Sequence, residues 1–575
     1  MKRMLYLLFI AASYIQGSVL AQTISSFSPT SGNVGTPVTI TGSNLNTVTS
    51  VSINGTPGVI LDKSSSSLSF MVMPGSTSGV ITLAGTSSVS SSSVFGVTTK
   101  VLDTVQQGGK LVGSASDSSW QGSSVALSAN GGTLAVGAPG RGCTYVFIRV
   151  GTNWVQQAKL TGTGGSFPFG QGSAVALSAD GNTLASAGIR DSFDRGATWI
   201  FTRTGSTWSQ QGNKLVGTGA YYAAQGYSVA LSADGNTLAV GGPFDTSKGA
   251  TWIFTRTGST WSQQGQKLVG TGADPYGMFV KQGTDVSLSA DGNTLAVGGP
   301  SDSNNRGATW IFTRNNGVWG QQGSKLIGRG NYYASPWGPN LGSSVALSAN
   351  GNTLAVGSGY VDVATDATVC IFDRDSNNVW KQKGGMIGPL SETYYYEGQT
   401  YTVSLSGDGR TLAIGGFGDT VKGATWVYRR ETDTSWVRLA TNKLIGTGGT
   451  DSAYQGFSVA LSADGKTLAV GGYLDNHYRG ATWIFSSDST AAVITAGVPG
   501  VPQNPIPVFW PNPVMDKITV SGGPAQGVMY IIDAMGRTVA NISYRREHPV
   551  DVSDLVPGVY WVRLDNGVAA AILKQ

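Results

Sequence analysis

One motif recurs seven times along this chain of 575 residues, and a recurrence of that length narrows the fold before any other feature is weighed. Its fullest form is "VALSADGNTLAVGG", Val229 to Gly242. The Leu before the second Ser marks the copies at Leu127, Leu177, Leu231, Leu288, Leu347, Leu405 and Leu461, spaced 50 to 59 residues apart. Each unit carries four short apolar runs; in the second these are "SAVALSA", "NTLASAG", "GATWIFTR" and "STWSQQGNKLVG". The runs are rich in β-branched and aromatic residues and bounded by Gly, Asp, Asn or Ser, as strands are. Four strands per unit at this period predict a propeller blade, and seven units predict a seven-bladed ring. Charged residues make up only 12% and Gly numbers 83, which suits tight turns between strands.

The array does not end evenly. After "GATWIFSSDST" the seventh unit lacks a fourth strand, whereas "TVQQGGKLVG", Thr104 to Gly113, matches "WSQQGNKLVG", Trp208 to Gly217. The N-terminal segment is therefore expected to supply the outer strand of the last blade and remove an open edge. The ring is bounded at 103–488, with 104–113 closing it.

"SADGN" joins the first and second strands. Asp-Gly and Asn-Gly favour a two-residue hairpin turn with positive φ at both positions. Asn130-Gly131 and Asn350-Gly351 replace Asp-Gly, which a turn tolerates and a charged metal site does not. The units resemble FG-GAP repeats of integrin-type propellers in "QGYSVALSADGNTLAVGGP" and "GATWIF". Those repeats often hold calcium between several Asp residues, but here one Asp remains per turn, too few for six to eight oxygens. No metal and no cofactor is expected. The segment is also faintly similar to the Asp-box of sialidases, with the Gly and Trp of that box out of place.

Residues 1–21 read as a secretory signal: Lys2 and Arg3, the apolar "MLYLLFIAA", then small Val19 and Ala21 before Gln22, so cleavage is expected between Ala21 and Gln22. The formal charge of +5 falls to about +3 without Lys2 and Arg3, and no basic cluster supports nucleic-acid binding. No stretch of the mature chain is long and apolar enough to span a membrane. Cys143 and Cys370, four units apart, read as small buried hydrophobes. A monomer is expected.

"ISSFSPTSGNVGTPVTITGSNL", Ile24 to Leu45, and the following "VSING" alternate as a small sandwich does. Through Pro29, Gly32, Gly35, Val38, Ile40 and Gly42 the segment 23–98 resembles the IPT/TIG family of immunoglobulin-like domains. A linker at 489–504 leads to "FWPNPVMDKITV", "MYIIDAMGRTV", "HPVDVSDLVPGVYWVRL" and "AILKQ". Pro511-Asn512-Pro513, Gly536-Arg537 and Pro557-Gly558-Val559-Tyr560 make 505–575 similar to the type A sorting domain of the type IX secretion system. That resemblance implies the secretion machinery as a partner. It also implies export across both membranes of a Gram-negative cell, removal of the tail, and surface attachment or release. The fold class is thus all-β: a seven-bladed propeller flanked by an Ig-like sandwich and a small C-terminal β-sandwich.

Catalytic signatures are missing: His477 and His548 lie in different domains, and no HExxH, GxSxG or phosphate loop is present. Carboxylate pairs follow no sequence spacing, so Glu392, Glu397, Asp274 and Asp285 stand as candidate acids near blade entrances, with solvated loop positions as the favoured reading. Asp245 with Lys248, Asp302 with Arg306, and Asp419 with Lys422 are expected to pair within exposed loops, contributing ~0–1 kcal/mol.

A blade's turns alternate between two faces. On one face the turns are tight and alike. On the other, the second-to-third loops and the blade-to-blade connections vary and carry the aromatics Trp120, Phe167, Phe169, Tyr221, Tyr222, Tyr276, Tyr332, Tyr333, Trp337, Tyr394, Tyr395, Tyr396 and Tyr454. Trp199, Trp252, Trp310, Trp426 and Trp483 recur on third strands and read as packing. Variable loops on a rigid scaffold favour an adhesin-like binding protein whose aromatic face recognises a glycan or a surface protein. The alternatives are a glycan-acting hydrolase or lyase on the same platform, and a purely structural surface protein.

Overall fold

The computed structural model describes residues 21–486 and 508–574, except 33–35, 74–75, 98–104, 115–117, 166–169, 275–278, 330–337, 360–368, 389–400, 420, 440–442, 451, 511–515, 522–525, 533–537, 547 and 565–568. The described chain is all-β, and no described helix is long and apolar enough to cross a membrane.

The N-terminal unit is built from strands between Thr23–Ser28 and Ser88–Val97. Their alternating apolar residues meet in one core that includes Val38, Ile40, Phe70, Leu83 and Phe95. The C-terminal strands form one sheet of three and one of four, with Ile518, Val520, Met529, Ile531, Val562 and Ile572 buried together.

Between them the repeats form seven sheets. Six have four strands in consecutive order, the first running Val125–Leu127, Thr133–Ala138, Cys143–Val150 and Asn153–Leu160. The seventh shows three, Ser458–Leu461, Thr467–Gly472 and Ala481–Ser486. Beside Ala481–Ser486, Gln106 bridges to Phe485 and Leu111 to Thr482, so a segment from before the first blade lies at the outer edge of the last.

Second strands such as "TLAVGG" are buried throughout, and third strands bury Trp199, Trp252, Trp310, Trp426 and Trp483 to 3% exposure or less. These indoles pack on glycine of the preceding blade: a Cβ on Gly217 would lie 2.1 Å from Trp252. Their N–H groups donate to loop carbonyls, as Trp252 does to Thr218 O at 2.8 Å. Cys143 and Cys370 are buried and form no disulfide.

The recurrent turn is not the two-residue hairpin that Asp-Gly suggests. Only its Gly takes positive φ, +69° at Gly181 and +66° at Gly235, because the loop spans five residues between Leu177 and Thr183. Side chains organise it: Asp180 Oδ1 accepts from Ser178 Oγ (2.5 Å) and Asn182 N (2.9 Å), while Ser178 Oγ accepts from Thr183 N (2.9 Å). Asn130 and Asn350 accept the same bonds. The Ala of each turn then ties blade to blade: Ala129 N donates to Ala179 O, Ala179 N to Ala233 O, Ala233 N to Ala290 O, and so on through Ala349 and Gly407 to Ala463, at 2.8–2.9 Å.

The loop ion pairs also differ from the expectation. Asp191, Asp245, Asp302 and Asp475 are almost wholly buried, and their partners at 2.5 Å are Lys214, Lys267, Lys325 and Lys110. Lys443 joins Asp419 at 2.7 Å. These lysines come from the fourth-strand segment, not from the loop, because the loop carboxylate turns inward toward the backbone it must cap. Asp245 accepts from Tyr221 N (2.9 Å), Asp302 from Asp274 N (2.8 Å) and Asp475 from Thr450 N (2.7 Å).

A candidate binding mouth at the centre of the ring

The first strands line a central channel of about 1150 Å³. Each is an inner edge with unpaired N–H groups, and hydroxyls from the neighbouring blade satisfy them. Val175 N donates to Ser124 Oγ (3.1 Å), Val403 N to Ser344 Oγ (3.1 Å), Leu347 N to Ser287 Oγ (3.0 Å) and Leu461 N to Ser404 Oγ (2.9 Å). The acceptors come from two columns: Ser124 and Ser344 precede "VAL", while Ser287 and Ser404 stand in the middle of "VSL". In the fourth blade the column holds Asp285, whose carboxylate accepts from Val345 N (2.8 Å), Ser344 Oγ (3.1 Å) and Val286 N (2.9 Å). Burial outweighs these bonds and pushes the carboxyl up to about 6.

The channel opens on the face of the second-to-third loops and blade entrances. Around its mouth stand Trp120, Tyr227, Phe244, Phe457 and Tyr473, with Lys281, Asn305 and Asn340. Tyr227 and Phe244 meet edge to face at 6.0 Å in blade 3. Phe457 packs on Tyr473 (4.4 Å) and Phe417 (5.4 Å), and Tyr454 on Phe417 (5.5 Å) and Tyr473 (6.1 Å), at blades 6 and 7. In a seven-membered ring blade 3 stands opposite the junction of blades 6 and 7, so two aromatic clusters face each other across the mouth. Burial, followed by the Asp285 charge, raises the Tyr227 phenol; burial, followed by Tyr454 and Tyr478, raises that of Tyr473. Both remain neutral donors near pH 7.

The sequence-nominated residues divide three ways. Trp120 lies at the mouth and is 38% exposed, and Tyr454 joins the blade 6–7 cluster. Tyr221 and Tyr222 stack edge to face at 5.0 Å, 69% and 55% exposed, away from the channel lining. Phe167, Phe169, Tyr276, Tyr332, Tyr333, Trp337, Tyr394, Tyr395 and Tyr396 lie outside the described residues, as do Glu392 and Glu397. Asp274 sits beside Asp302 through its backbone, and Asp285 is on the channel wall. Ala21 and Gln22 are described at the start of the N-terminal unit, where Gln22 is buried.

Tyr227, Phe244, Phe417, Phe457, Tyr473 and Lys281 escape a search of loops alone. Aligning the repeats by column finds four of them: Tyr227 and Phe457 stand where other units have Ser123, Ser173, Thr284 and Ser343, and Phe417 and Tyr473 where others have Pro139, Ile189 and Pro300.

Known families match both ends of the chain: the IPT/TIG domain over residues 23–98 and the secretion system C-terminal sorting domain over residues 508–575. A search of curated proteins returns no match. Similar solved structures include Kuenenia stuttgartiensis hydrazine synthase, at 14% identity and a TM-score of 0.42, covering 65% of this chain and 97% of that one. The β-propeller domain of Cps50 (Swd1) from Myceliophteria thermophila shows 13% identity and a TM-score of 0.42, over 66% and 98%. A structural genomics protein of unknown function from Bacteroides thetaiotaomicron shows 12% and 0.30, over 69% and 96%. At these scores none bears on function here.

Proposed function

From a chain that carries an IPT/TIG domain, a seven-bladed propeller and a type IX sorting tail, and is thereby secreted or displayed on the surface of a Gram-negative cell, we infer an adhesin-like binding protein that takes a glycan at the propeller's aromatic mouth. The observation that carries this reading is the pair of aromatic clusters facing each other across the mouth of the channel. Aromatic faces stack on the apolar faces of sugars, while the mouth's Ser and Asn side chains suit hydroxyls.

Binding is favoured over glycoside cleavage. Two-carboxylate hydrolysis needs an acid and a second carboxylate roughly 5–9.5 Å apart. Among the described lining residues Asp285 is the single carboxylate, and three donors already engage it.

The test is retention of the mature protein on immobilised polysaccharides, with release of reducing ends followed in parallel. The parent should be retained without cleavage. A Trp120→Ala, Phe244→Ala double variant of unchanged melting temperature should lose retention; equal retention by that variant would place the site elsewhere, and released reducing ends would favour the enzyme.

A further inference from the structure

One column of the repeat sits directly on the rim. The residue before the Gln-Gly that leads into a first strand, or before Leu-Gly in the fifth blade, takes left-handed φ: Trp120 (56°), Ala224 (50°), Lys281 (60°), Asn340 (51°) and Tyr454 (55°), with Gly170 (113°) in the second blade. Glycine occupies such a conformation without strain, and the second blade uses it. The other blades keep side chains there, and three of these residues, Trp120, Lys281 and Asn340, line the mouth.

The backbone of Lys281 is held from both sides. Its carbonyl accepts from Thr284 N (3.2 Å) and Thr284 Oγ1 (2.8 Å), and the next residue, Gln282, donates through N to Lys248 O (2.8 Å). Its side chain is half-buried. Several lysines under this face meet a buried carboxylate at 2.5 Å, as Lys214, Lys267 and Lys325 do. The Lys281 ammonium has no such partner among the described residues, and Asp285, the one carboxylate described in the lining, is not within ion-pair distance. A half-buried cation facing an open cavity leaves a favourable interaction for an anion to supply.

We propose that the mouth recognises an acidic saccharide, with Lys281 receiving the carboxylate of a uronic-acid unit while the aromatic clusters stack on its rings. This rests on the mouth being the binding site. A polyanion such as nucleic acid would need many cations, and Lys281 is the only one among the described lining residues.

The experiment uses the mature full chain and a panel of uronic-acid oligosaccharides from pectate, alginate and hyaluronan, each as the free acid and as its carboxyl methyl ester. Binding is measured by calorimetry at two salt concentrations. At least one acid should bind about tenfold more tightly than its ester, the lower end of a hydrogen bond to a charged partner. Lys281→Gln should remove that difference and its salt dependence while leaving ester binding unchanged, and Lys281→Arg should restore it. Esters binding as tightly as acids, or Lys281→Gln binding acids unchanged, would overturn the proposal and leave the mouth as a neutral-glycan site. Failure of every acid and every ester to bind would overturn both.

Discussion

The backbone N–H of Asp464 donates to the carbonyl of Ala129 at 3.2 Å and joins the last repeat to the first. Six Ala- or Gly-to-neighbour bonds precede it around the ring, so this contact completes a belt of seven main-chain hydrogen bonds, one per blade. The belt accounts for the conservation of "SADG" across units without invoking an ion: the carboxylate shapes the turn, and the turn presents Ala to the next blade. Asp234→Asn should therefore change stability by less than about 0.5 kcal/mol, since Asn130 and Asn350 make the same bonds. Asp234→Ala should cost about 1 kcal/mol per bond lost. Chelator should leave the melting temperature unchanged; a fall reversed by calcium would refute the turn reading.

Deleting residues 104–113 should bare the outer edge of Ala481–Ser486 and strand Asp475 without Lys110. The expected product is aggregated or broadly melting. A sharp, parent-like melt with monomeric elution would contradict the role given to this segment.

Lys325→Met should destabilise the ring by about 3 kcal/mol, because Asp302 stays buried with no counter-charge. Adding Asp302→Asn should recover much of that loss, and denaturant titration of the three proteins measures it. Equal stability of Lys325→Met and parent would show the pair to be energetically idle.

Asp285→Ser should stabilise the ring at neutral pH. Other blades hold Ser in this column, and burial raises the native carboxyl from the ordinary carboxylate range to about 6. The folded state binds the proton more tightly than the unfolded one, so Asp285 costs stability as pH rises from about 4 through 6. The gap in melting temperature between variant and parent should widen over that window and level off above it. A gap that is flat with pH would count against the buried titration.

Removing 508–575 should leave the protein in the periplasm of its own host, read by fractionation and surface proteolysis. Surface display of the truncated chain would contradict the sorting role.

The ring was legible because its determinants are local and repeated: apolar runs of fixed length, Gly at turns and Trp on third strands. What escaped depends on neighbours far along the chain. Lys267 reaches Asp245 from the fourth-strand segment, so the nearer Lys248 drew the pairing instead. Tyr227 and Tyr473 lie in columns that are Ser or Pro elsewhere, and only the ring brings them to one opening. Asp285 read as a loop acid because nothing local reveals that Val345 and Ser344 of the next blade supply its donors.

The Lys110–Asp475 contact spans 365 positions, whereas a link between adjacent blades such as Thr163–Gln210 spans 47. For a flexible chain the longer closure costs roughly 2 kcal/mol more in entropy. The seam is therefore the natural last step of folding. Until it forms, the blades stand as an open horseshoe with an unpaired strand at its end, the species most prone to associate with another copy. Folding yield of this protein should be limited by the lifetime of that horseshoe, and its dependence on chain concentration would measure it.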